Sequence, residues 1–147
     1  MQTCEAALKE YYDLYHLSNR LYAQFAKRHG ETASTLFALF ALYENPEGIS
    51  LKAVQELIMV PKQTLSSLLD ALAKRGLVKR QESPADKRSK LFFLTEAGIR
   101  YCNDVFTELN AIETASLHQM ELVDFERMNA SLKQFLTLFE REMDERN

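Results

Sequence analysis

Pro61-Lys62-Gln63-Thr64-Leu65-Ser66-Ser67-Leu68-Leu69-Asp70-Ala71-Leu72-Ala73-Lys74-Arg75-Gly76 is the stretch that decides the fold. Leu65, Leu68, Leu69 and Leu72 fall at i, i+3, i+4 and i+7, a stripe that a helix turns to one side. Proline is favoured in a first helical turn and Gly76 supplies a C-terminal stop, so a helix is predicted over residues 61–75. Just upstream, Ser50 stands where an N-cap is wanted, ahead of a short helix with Leu51, Val54, Leu57 and Ile58 on one face. The two helices in succession make a helix-turn-helix candidate.

After Gly76 the period changes. Leu77-Val78-Lys79-Arg80-Gln81-Glu82 and Lys90-Leu91-Phe92-Phe93-Leu94-Thr95 are short extended segments. The polar, proline-marked run Ser83-Pro84-Ala85-Asp86-Lys87-Arg88-Ser89 joins them, so a β-hairpin wing is predicted. Further out the pattern is helical again. Glu5 to about Arg28 repeats Leu8, Tyr11, Tyr15, Leu21 or Tyr22, and Phe25, with Cys4 lying before the helix. Ser34 to Glu44 points Leu36, Phe37, Phe40 and Ala41 inward and is closed by Asn45-Pro46-Glu47-Gly48. Glu96 to about His118 does the same with Ile99, Cys102, Val105 or Phe106, Leu109 and Ile112. A last helix shows Leu122, Phe125, Met128, Leu132, Phe135 or Leu136, Phe139 and Met143.

The predicted fold is mainly α with a small β-hairpin wing: a winged helix-turn-helix over residues 34–95, flanked by long dimerisation helices in 1–33 and 96–147. The small head cannot cover the apolar faces of the long helices, so these are expected to bury one another across a two-fold axis. The alternative is a monomeric bundle with a winged head.

Composition agrees. Of 147 residues, 46% are apolar and 10% aromatic, enough for a core, while 4 Gly and 3 Pro are too few for the turns of a many-stranded sandwich or barrel. No apolar run approaches a membrane span, and Met1-Gln2-Thr3-Cys4-Glu5 has no basic segment leading into an apolar one, so a cytoplasmic location is expected. Cys4 and Cys102 lack CxxC spacing, and His16, His29 and His118 have no partner histidine at i+3 or i+4, so no metal and no cofactor is expected. HExxH, GxSxG and a glycine-rich phosphate loop are all absent, which argues against an enzyme.

The net charge of −3 hides its distribution. Residues 1–60 carry 5 basic and 7 acidic side chains, residues 61–95 carry 8 and 3, and residues 96–147 carry 5 and 11, giving nets of −2, +5 and −6. Screening over roughly 8 to 10 Å makes the local block decide which partner is met, and a basic block between acidic helices marks an anion-binding surface. A solvated charged face is the bland reading; the helix-turn-helix and wing inside the block favour the other.

In a helix-turn-helix the N-terminal residues of the second helix meet base edges. Lys62, Gln63, Thr64, Ser66 and Ser67 offer there a cation, a bidentate amide and three hydroxyls, suited to phosphates, adenine edges and thymine methyls. Taken singly, each also fits a solvent-facing position of an amphipathic helix. Ser50 at the preceding N-cap joins the predicted contact set. Lys87, Arg88 and Lys90 project from the wing near Arg80, and an arginine at such a tip can enter a minor groove. Asp86 opposes phosphate unless it positions a guanidinium by a bidentate pair, so it is predicted to organise the wing.

Residues 50–98 resemble the MarR family of winged helix-turn-helix transcription regulators. The resemblance rests on Leu65 through Arg80, on the wing Ser83-Pro84-Ala85-Asp86-Lys87-Arg88, and on Leu94-Thr95-Glu96-Ala97-Gly98, in that order. It implies a homodimeric, sequence-specific DNA-binding regulator, read as a repressor, with the helix of residues 61–75 in the major groove and Arg88 of the wing, residues 83–90, in the minor groove, steadied by Asp86. It further implies control by a small aromatic or lipophilic effector in a cleft that Tyr11, Tyr15, Tyr22, Phe25, Phe37 and Phe40 can line, although such spacing also fits ordinary core. A redox-sensing branch uses a cysteine within the first helix; Cys4 precedes that helix and Cys102 falls on a later apolar stripe. Two positions depart from the family: Gln55 replaces a small alanine and Met59 replaces the turn glycine. The competing expectation is a winged-helix protein–protein interaction module without DNA binding.

Overall fold

The computed structural model describes residues 1–147. Its elements are α1 (Cys4–Arg28), α2 (Ala33–Tyr43), β1 (Ile49–Ser50), α3 (Leu51–Ile58), α4 (Lys62–Lys74), β2 (Val78–Glu82), β3 (Lys90–Leu94), α5 (Glu96–Leu117) and α6 (Leu122–Glu145). The mainly helical fold with a hairpin wing is as predicted, with one strand added. β1 pairs antiparallel with β3, Ile49 opposite Phe92, so the sheet has three strands in the order β1-β3-β2. The hairpin register sets Val78 against Leu94 and Glu82 against Lys90.

Hydroxyl caps fix where three helices begin. Thr3, Thr32 and Ser50 accept hydrogen bonds from the backbone N–H of Ala6, Thr35 and Ala53 at 3.2, 3.1 and 3.1 Å. Thr3 thereby draws Cys4 into the first turn of α1, correcting the reading that placed Cys4 ahead of the helix.

By backbone proximity the chain forms two units, Met1–Phe106 and Thr107–Asn147. The first holds the core: Leu36, Leu39 and Leu42 of α2, Val54 of α3, Leu65, Leu69 and Leu72 of α4, Phe92 and Leu94 of β3, and Cys102 of α5. α2 departs from expectation. It is apolar on every side, so no polar stripe marks its outer face; Phe37 and Phe40 point outward, 38% and 46% exposed, and Ala38, Leu39 and Leu42 take the inner positions. Leu57 of α3 and Ile99 of α5 are likewise exposed rather than inward, and Leu51 and Ile58 are half-buried.

The second unit comprises the C-terminal end of α5 and the whole of α6. Ile112, expected inward, is exposed. No residue of α6 is buried, and Leu132, Leu136, Phe139 and Met143 lie along one open groove of that helix.

Candidate nucleic-acid interface

α3 and α4 form the helix-turn-helix. α3 ends on Met59 in the left-handed conformation, φ 52° and ψ 43°, at the position read as the usual turn glycine. α4 starts one residue later than predicted, with Pro61 as its N-cap and no side chain capping its first amides. Those N–H groups, with the helix dipole behind them, are oriented to receive an anion. Lys62, Gln63, Thr64, Ser66 and Ser67 are all exposed, while Leu65, Leu69 and Leu72 anchor the opposite face. Ser50 is half-buried and its hydroxyl accepts from Ala53; the hydroxyl proton is still available to an outside acceptor.

The other end of α4 is fastened twice. Thr95 donates through Oγ1 to the Gly76 carbonyl at 2.5 Å and accepts at the same oxygen from the Gly98 N–H at 3.0 Å, capping α5. Its own N–H bonds the Leu77 carbonyl at 3.0 Å. Gly98 is required there, since a Cβ would stand 2.0 Å from the Leu77 carbonyl oxygen. The Leu-Thr-x-x-Gly motif is thus a joint between the end of α4 and the start of α5.

The second fastening was missed in the sequence. The Arg75 guanidinium grips Glu31 in a fork, Nη2 to Oε1 at 2.6 Å and Nη1 to Oε2 at 3.1 Å. The Tyr101 hydroxyl donates to the same Oε1 at 2.6 Å, and the guanidinium lies 5.6 Å from the Tyr101 ring centroid. Burial pushes the Glu31 carboxyl up, but the hydrogen bonds from Arg75 and Tyr101 outweigh it and hold the group below the ordinary carboxylate value. The Glu31 hydrogen bond raises Arg75, and burial followed by the Glu31 contact raises Tyr101. No local pattern signals this trio, because 44 positions separate Arg75 from Glu31 and 70 separate Tyr101 from Glu31.

The wing is ordered by Asp86, through different partners than expected. One carboxylate oxygen accepts from the Arg88 backbone N–H at 3.0 Å and the other from the Ser89 hydroxyl at 3.2 Å, while the Asp86 carbonyl accepts from the Ser89 N–H at 3.0 Å. A side chain that accepts from the backbone N–H two residues on makes an Asx-type turn. The proposed guanidinium pair does not form, and Lys87 and Arg88 are both exposed. Lower on the hairpin, Lys90 pairs with Glu82 at 3.5 Å and Arg80 approaches Asp70 of α4 at 4.0 Å. Both pairs are exposed and weak, so Arg80 and Lys90 can exchange partners at little expense.

Of the predicted effector-cleft residues, Tyr22 and Phe37 meet at 5.8 Å between ring centroids. Phe40 packs edge-on against Phe106 at 5.3 Å instead, and Phe25 belongs to the core. Tyr11 lies beside Tyr12, and Tyr15 is exposed on α1 beside His16. Cys102 is fully buried, which pushes its thiol up to about 12 and leaves it inert at neutral pH; Cys4 is exposed. No helix is long and apolar enough to cross a membrane.

Known proteins agree with this geometry. The MarR family profile matches residues 29–89, from the α1–α2 turn to the wing tip. The transcriptional regulator SarZ of Staphylococcus haemolyticus is 33% identical over 78 residues, covering 53% of this chain and 52% of SarZ, about half its length. The transcriptional regulator HosA of Escherichia coli is 29% identical over 90 residues, covering 61% and 67%. Among solved structures, the MarR family regulator NMB1585 from Neisseria meningitidis superimposes with a TM-score of 0.80 at 21% identity, covering 96% of this chain and 99% of its own. Staphylococcus aureus MepR in its DNA-binding conformation gives 0.75 at 21% identity, covering 90% and 98%. With this motif order, this joint and this fold, the winged helix-turn-helix is similar to regulators of the MarR family, whose profile it matches over residues 29–89.

Proposed function

We propose that the chain is a homodimeric, sequence-specific DNA-binding transcription regulator, acting as a repressor that a small aromatic or lipophilic effector releases. The observation that carries this reading is the pairing of unengaged donors: the uncapped, polar N-terminal end of α4 and the Lys87-Arg88 tip, braced by Asp86, on one basic block. α4 fits a major groove and the wing tip a minor groove. MepR, similar in fold, has been solved in complex with DNA, which supports the same partner here. The dimer reading is supported by α6, whose Leu132, Leu136, Phe139 and Met143 are exposed along one groove in the single chain. A long apolar stripe of that kind is an association surface, and a two-fold pairing is the commonest way to cover it. For the effector, the Tyr22–Phe37 ring pair is the part of the aromatic set that stays together.

Titration of a pseudo-palindromic duplex, selected from random DNA, across salt concentrations tests the proposal. The expected slope of log K against log salt is about −0.9 per phosphate neutralised, and Arg88→Ala is expected to lose about 1–3 kcal/mol with the dimer intact in sedimentation. Salt-independent binding, or an Arg88→Ala protein that binds normally and sediments as a monomer, overturns it in favour of a protein-interaction module.

A further inference from the structure

Eight basic side chains make the block of residues 61–95 positive, and one of them is differently placed from the rest. We infer that Arg75 is a positioning residue for DNA binding: with Glu31 and Tyr101 it fixes the C-terminal end of α4 to the α1–α2 turn and to α5, and it is not a phosphate contact. The inference rests on the DNA-binding reading for its functional half only.

Geometry separates Arg75 from the other cations. It lies 13 residues beyond Lys62, about 20 Å along the axis from the end that meets a groove. Both of its terminal nitrogens are engaged by one carboxylate, and its face is over an aromatic ring. The Glu31 side chain is 5% exposed against 44% for Arg75. Turning the guanidinium toward a phosphate leaves that carboxylate buried with the Tyr101 hydroxyl as its remaining partner, an unfavourable exchange for one solvated contact. The three residues come from three elements, so the contact defines direction as well as attraction. A bidentate fork on a planar carboxylate resists rotation where a point charge does not. Glu31 is itself held by its backbone N–H on the Ala26 carbonyl at 2.9 Å, so the anchor is fixed to the end of α1.

Glu31→Gln, Arg75→Lys and Tyr101→Phe test this by two readouts. The first needs no DNA: amide hydrogen exchange in the free protein at Arg75, Gly76 and Leu77, whose N–H groups bond carbonyls of the last turns of α4. Glu31→Gln and Arg75→Lys are expected to speed exchange there by about tenfold, the loss of one charge-assisted hydrogen bond, and to leave the wing unchanged. The second is duplex affinity against salt. Both variants are expected to weaken binding about tenfold at an unchanged salt slope, because no phosphate contact is removed. A phosphate contact behaves oppositely: Arg75→Lys keeps its affinity, and Glu31→Gln binds more tightly because a negative charge is lost. Either result overturns the inference, as does unchanged exchange at the three amides. Should Glu31→Gln fail to fold, Tyr101→Phe keeps the carboxylate and its fork and is read in the same way, with about threefold faster exchange expected. If the wild-type protein binds no duplex, the DNA-binding reading fails while the exchange data still decide whether the trio holds α4.

Discussion

The two ends of α4 are built on opposite plans. At Pro61 the helix starts without a side-chain cap, and Lys62, Gln63, Thr64, Ser66 and Ser67 stand exposed. At Arg75 and Gly76 it finishes in a joint of three side chains from three other places in the chain, Glu31, Thr95 and Tyr101. Unsatisfied donors are a small liability when water can reach them, and they become useful when a ligand replaces the water. A helix that must present such donors in register needs its direction fixed elsewhere, and the far end is where the chain supplies buried partners. On the proposed DNA-binding reading, stability and recognition are divided along 13 residues of helix.

The strongest way to break this division is to open the joint. Gly98→Ala sets a methyl 2.0 Å from the Leu77 carbonyl oxygen, and backbone cannot swing aside as a flexible side chain would. Either α5 shifts away from Leu77, losing the Thr95 bonds to Gly76 and Leu77, or the turn after α4 deforms. The expected loss is about 3 kcal/mol, or roughly 10 °C in Tm, read by thermal denaturation. A variant as stable as the wild type would show that the joint yields freely and does not direct α4.

This division explains what the sequence discloses and what it conceals. The leucine stripe of α4 and the change of period after Gly76 are local signals, so the helix-turn-helix and the hairpin are legible within a few residues of their ends. β1 is two residues long and exists because Ile49 finds Phe92, a pairing no window around Ile49 contains. Arg75 counts as one more cation until Glu31 is seen beside it, and Asp86 reads as a partner for a guanidinium although it takes the Arg88 backbone N–H and the Ser89 hydroxyl instead. Thr95 and Gly98 are conspicuous as a motif, but their reason, the approach of Leu77 to the first turn of α5, lies in the packing. The outward Phe37 and Phe40 are concealed for another reason: α2 has no polar face against which an inner face can be defined.

The exposed end is expected to behave oppositely from the joint. Gln63→Ala truncates an exposed side chain, and alanine suits a helix, so stability is expected to change by no more than about 0.5 kcal/mol. Duplex affinity is expected to fall by about 1–3 kcal/mol, with discrimination lost at one base position while the others keep theirs. Competition among single-base variants of the selected duplex measures this. A uniform loss at every position would make Gln63 a backbone contact, and a fall in Tm comparable to that of Gly98→Ala would end the division of labour between the two ends.

The smallest effect belongs to the turn that leads into the exposed end. Met59 holds φ 52° and ψ 43°, a conformation in which its Cβ crowds the backbone, at roughly 1 kcal/mol relative to glycine. The residue is 83% exposed and so recovers little of this by packing. The backbone bond from Met59 N–H to the Gln55 carbonyl at 2.9 Å does not need the side chain. Glycine relieves the crowding but has more freedom to lose on folding, so Met59→Gly is expected to stabilise the chain by about 0.5 kcal/mol, or 1–2 °C in Tm. Because α4 takes its direction from the far joint, duplex affinity is expected to stay within about twofold of wild type. A stabilised protein that binds DNA markedly less well would show that the turn, and not the joint alone, aims the N-terminal end of α4.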